Sequence, residues 1–97
     1  MVKIEVKATT LPKDEKEMLN YADMLLLCMK QVAVNGLTVG EMGERLEVIK
    51  KFKDSKVGDT VEIEDAQLPG IKACVESMRW SICHEDIKAF GDLIETL

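Results

Sequence analysis

Along residues 2–7 the apolar side chains Val2, Ile4 and Val6 alternate with the charged Lys3, Glu5 and Lys7, the period-two pattern of a strand with one buried face. In the next segment, TTLPKDEKEM, Thr10 is a potential cap, Pro12 suits a first helical turn, and acidic residues sit where the helix dipole is positive. A helix is therefore predicted from this point to about Val34, stopped by Asn35 and Gly36. Met18, Ala22, Leu25, Met29 and Val32 repeat at intervals of 4, 3, 4 and 3 and fall on one stripe of it. Leu19, Leu26, Leu27, Ala33 and Val34 widen the apolar arc. A helix apolar over so much of its circumference is either the central helix of the core or partly covered by another copy or another protein.

Thr38 and Glu41 form a T-x-x-E capping box, so a second helix should start at Val39. Its inward face by spacing is Met42, Leu46, Ile49 and Phe52, with Val39, Arg45 and Lys53 alongside. The segment DSKVGDT breaks the pattern, and TVEIED alternates again through Val61 and Ile63, which predicts a second strand. A third helix should follow Asp65, turning Leu68, Ile71, Cys74 or Val75, and Met78 inward. Trp80 and Ile82 fall in a connection, and a last helix from His84 or Glu85 carries Ile87, Phe90, Leu93 or Ile94, and Leu97 on one face. The order is β-α-α-β-α-α: an α+β, mainly helical fold of about four helices, its two short strands paired as a small ribbon that must lie against helices to be stable.

Composition narrows the function classes. At 97 residues, with 46% hydrophobic and 32% charged side chains, the sequence describes a single compact domain spanning 1–97. A net charge of −5 disfavours nucleic acid as a partner, because phosphates attract clustered cations and repel a net anion. The longest apolar run, Met24 to Met29, is far short of the roughly 20 residues that span a bilayer, so no membrane association is expected. No cationic start with an apolar core and cleavage site is visible, and three cysteines, an odd number, fit reduced thiols, so the expected location is cytoplasmic.

The candidate chemistry is sparse. Cys28, Cys74 and Cys83 are spaced by 46 and 9 residues, unlike the close cysteine pairs of a zinc site. Cys28 and Cys74 read as small hydrophobes, and neither a metal nor another cofactor is expected. CHED, Cys83 to Asp86, holds the only histidine, but its residues also read as the first turn of the last helix. No phosphate-binding glycine loop, G-x-S-x-G elbow or H-E-x-x-H occurs, so the chain is not expected to be an enzyme.

Two readings remain. The first is a protein–protein interaction or oligomerisation module, a homodimer built on the first helix through Met18, Ala22, Leu25, Met29 and Val32 that is also expected to bind another protein. Arg79 and Trp80 are further interface candidates, since Trp and Arg are enriched at hot spots; a core anchor is the alternative for Trp80. The second is a DNA-associated regulator using Lys50, Lys51, Lys53 and Lys56. LTVGEMGERL imitates the first helix of a helix-turn-helix, but its apolar period continues through Ile49 and Phe52 where the turn to a reading helix should fall. Acidic residues Asp59, Glu62, Glu64 and Asp65 follow the lysines closely, and cations at a helix C-terminus also have a purely structural role.

The succession EMGERLEVIKKF, TVEIEDAQLPGIKACVESMRW and HEDIKAFGDLI resembles the small proteins encoded in phage and prophage genomes, over about the last 60 residues. The resemblance carries no catalytic or binding motif. It implies an accessory, morphogenetic or host-directed protein that acts by binding, and it favours an oligomer.

Overall fold

The computed structural model describes residues 1–32 and 35–97. Strand β1 (Val2–Glu5) pairs antiparallel with the strand at Thr60–Ile63, placing Val2 opposite Ile63 and Ile4 opposite Val61. The two alternating segments thus form the expected ribbon. Their apolar faces turn inward, and Ile4, Val6, Val61 and Ile63 are all buried. The ladder continues beyond the strand ends, where Val6 donates to the Asp59 carbonyl and Gly58 donates to the Val6 carbonyl, each at 2.9 Å. Gly58 has φ +96°, a left-handed conformation that glycine adopts without the Cβ clash other residues meet.

The segment read as the start of the first helix is instead a second hairpin. Strand β2 (Ala8–Pro12) pairs antiparallel with β3 (Met18–Asn20), with an irregularity in register between Ala8 and Pro12. Two local effects favour it. Asp14 Oδ1 accepts from the backbone N–H groups of Lys16 and Glu17 at 2.8 Å each, folding 13–17 into a turn. The β-branched Thr9 then suits a strand, and its hydroxyl donates to the Leu19 carbonyl. Pro12, at the last position of β2, needs no ladder donor there.

Helix α1 (Tyr21–Lys30) starts at a capping box well beyond the predicted start near Pro12: Asn20 Oδ1 accepts from Asp23 N at 2.9 Å, and Asp23 Oδ2 accepts from Asn20 N at 3.1 Å. Met18 therefore lies on β3 and Val32 beyond α1, both exposed, and the five-residue stripe is not one helix face. Ala22, Leu25 and Met29 keep their place on α1, at 2%, 1% and 3% exposure inside the core. Ala33 and Val34, the end of the wide arc, lie outside the described residues.

Helix α2 (Val39–Phe52) begins where its capping box predicted, with Thr38 Oγ1 accepting from Glu41 N at 3.1 Å. Its phase differs from the prediction. Val48 and Phe52 are buried, Arg45 and Ile49 are half-buried, and Val39, Met42 and Leu46 are exposed. The cause is Arg45, whose guanidinium donates to the carbonyls of Gln31 and, at 3.4 Å, Met29. Those acceptors at the end of α1 have no partner within their own helix, and reaching them turns Arg45 and Val48 inward.

After β4 (Thr60–Ile63) a single 3-10 turn at Asp65–Gln67 leads into α3 (Leu68–Ser77), and α4 (Glu85–Glu95) closes the described chain. Ile71, Cys74 and Val75 on α3 and Phe90 and Ile94 on α4 are buried, as their spacing predicted. Tyr21 and Phe90 meet edge to face, with ring centres 5.2 Å apart. One contiguous core results, with α1 packed against both α2 and α3. None of the helices described is long and apolar enough to cross a membrane.

Candidate functional site

Helices α2 and α3 both rest on α1 but stand apart from each other. The gap between them is a trough of about 590 Å³, within the size range of sites that bind small molecules or anchor side chains. Its floor is apolar: Met29 of α1, Val48 of α2, and Ile71 and Cys74 of α3, all buried. The α3 wall is built from Gly70, Ala73 and Ser77, spaced 3 and 4 residues apart along one line of the helix, with Ala66 of the preceding 3-10 turn ahead of them. A Cβ on Gly70 would meet nothing within 4 Å. Its small size therefore serves no packing among the described residues.

The opposite wall and rim are acidic. Glu41, Glu44 and Glu47 recur every third position along α2, and Glu64 stands ahead of the 3-10 turn. Among the described residues none of these four carboxylates takes part in an ion pair. Arg45 is the cation among the lining residues, and its hydrogen bonds go to the α1 carbonyls. Lys51 Nζ bridges α2 to the start of α3 by donating to Gln67 Oε1 at 2.8 Å, and Gln31 Nε2 ties the end of α1 to the Ser77 carbonyl at 3.3 Å. The Lys51–Gln67 bond joins the two walls, and the Gln31–Ser77 bond ties the α3 wall to the end of α1.

Cys74 belongs to the floor as a neutral group. Burial raises its thiol, with the nearby Arg45 charge working the other way. Burial likewise pushes Cys28 up to about 12, and Cys74 beside it adds to the shift. At neutral pH both are thiols that fill space.

The CHED cluster has a different role. His84 is the N-cap of α4, its Nδ1 accepting from Asp86 N at 3.0 Å. A neutral ring accepting at Nδ1 carries its hydrogen on Nε2, and it is Nε2 that faces Thr10 Oγ1, at 3.5 Å. The Thr10 hydroxyl donates to Asp86 Oδ2. Hydroxyl, imidazole and carboxylate are thus together, but the imidazole presents no lone pair to the hydroxyl, as a general base must. The cluster ties β2 to α4. Cys83 is exposed beside it.

The remaining sequence-predicted residues are dispersed. Of the first-helix candidates only Met29 borders the trough, and Ala22 and Leu25 are enclosed by the chain's own core. Arg79 is exposed, and the half-buried Trp80 packs on the core from the α3–α4 connection. The four lysines do not share one face. Lys51 is bonded to Gln67, while Lys53 and Lys56 border a shallow hollow that also holds Glu17, Asp23 and Asp54. Lys50 is exposed on α2. The acidic wall and the small-residue wall were not singled out from sequence; E-x-x-E-x-x-E from Glu41 and A-x-x-x-G-x-x-A from Ala66 are the signals that carried them.

No family model, curated protein or solved structure matches this chain.

Proposed function

We propose that this chain acts by binding another protein, without catalysis, and that the α2–α3 trough is its contact surface. One observation carries the reading. Two helices stand apart over a buried apolar floor, with a wall of small side chains that no described residue fills. Close-packed interiors leave few such spaces, and a solvent-facing apolar concavity commonly marks a binding surface.

The test fills the trough without touching the core. Ala73 is exposed on the α3 wall, so Ala73→Trp occupies the space while the fold is kept. Affinity capture with the wild-type chain from a lysate of its own host should retain a specific protein, a second copy of this chain included. Ala73→Trp should lose it, and Ala89→Trp, on an exposed position of α4, should keep it. Retention of the same protein by Ala73→Trp would overturn the assignment of the trough.

A further inference from the structure

The trough has a charge pattern as well as a shape, and together they specify an occupant. We propose that it receives a cationic amphipathic helix of a partner protein, an inference that rests on the trough being a binding surface. The lining carries four carboxylates against one guanidinium, and that guanidinium is already bonded to α1 carbonyls. Like charges held along one wall repel each other, and a partner of opposite sign relieves that repulsion while suppressing wrong partners.

The trough calls for apolar groups on the same partner. Its floor of Met29, Val48, Ile71 and Cys74 is already covered, and the hydrocarbon left for a partner to bury is the exposed wall at Ala66, Gly70 and Ala73, which a purely polar cation would leave in water. Lysine and arginine on one face with apolar anchors on the other meet both demands, since their stems lie along apolar surface while their charged heads reach the rim.

Helical form follows from the walls. Both are helices, and the small-residue line Ala66, Gly70, Ala73 and Ser77 is a groove of the kind that takes the ridge of a third helix. Among the described residues the lining includes none from β1, β2, β3 or β4, so an extended peptide would find no ladder of backbone donors and acceptors to join. The α3 wall has 10 residues, about three turns, which matches anchors at i, i+3 or i+4, and i+7.

The probe is a fluorescein-labelled peptide of about 16 residues made from Ala, Leu and Lys, with leucines on one helical face and lysines on the other, titrated with the full chain at about 150 mM salt. We expect saturable binding, and binding at least about tenfold weaker for the same peptide with every Lys replaced by Glu. Glu44→Lys/Glu47→Lys should weaken the lysine peptide about tenfold, and Glu5→Lys/Glu15→Lys, which changes net charge equally but away from the trough, should change it less than about twofold. Should the first double variant lose its helical circular dichroism, Ala73→Trp serves in its place and should also weaken binding. Equal binding of the two peptides, or equal weakening by the two double variants, would sink the proposal. The outcomes also separate the two readings: partner capture lost in Ala73→Trp without lysine-peptide binding leaves the trough as the site and removes the cationic helix.

Discussion

Thr10 and Asp86 lie 76 positions apart and are joined twice: the backbone N–H and the hydroxyl of Thr10 both donate to Asp86 Oδ2 at 2.9 Å. These bonds hold the Asp86 carboxyl below its ordinary value, the backbone bond contributing most and the His84 ring adding a smaller effect. A carboxyl with a depressed value in the folded chain stabilises it above the unfolded value, and that contribution is lost as pH falls through the folded value. Asp86→Asn should therefore be less stable than wild type at neutral pH. The difference should close as pH drops below the ordinary carboxylate range. Urea unfolding of both proteins across that range measures it, and a difference that stays constant with pH would rule out the bonds as its source.

The phase of α2 is testable by paired substitutions. Leu46 is 47% exposed and Phe52 is 1% exposed, although the apolar period places both on one face. Leu46→Lys should change stability by less than about 0.5 kcal/mol, whereas Phe52→Ala should cost about 3–5 kcal/mol. A large loss from Leu46→Lys would mean that this face is covered. Chemical denaturation of the purified variants gives both values.

Much of the architecture was legible because the signals were local. Val2, Ile4, Val6, Val61 and Ile63 alternate strictly, and their pairing followed from there being two such segments. The box at Thr38 and Glu41 placed the start of α2. The failures come from competing signals. Pro12 after Thr10 imitates a helix start, while the true start rests on Asn20 and Asp23, within what looked like an unbroken apolar stripe. In α2 two stripes overlap, and the choice is made by Arg45 bonding to Gln31, a contact between elements that no period encodes. The trough was hidden for the same reason: its floor comes from three helices, and its walls consist of glutamates and small residues that read separately as solvated surface.

The cysteines provide a test of how tightly the region beneath the trough is packed. A thiol reacts as its thiolate, and with Cys28 pushed up to about 12 by burial only about one molecule in ten thousand is ionised near pH 8. Cys74 is also raised by burial, and it is 5% exposed at the trough floor, so a reagent meets little of its sulfur. Cys83 is exposed. A chromogenic disulfide reagent at about pH 8 should therefore modify one thiol per native chain, Cys83, and all three after denaturation. Peptide mapping identifies the site. Cys83→Ser should leave the native protein nearly unreactive, and its slow residual rate would then report opening of the core. Prompt modification of Cys74 in the native chain would instead mean that the trough is deeper than its floor of Met29, Val48 and Ile71 allows.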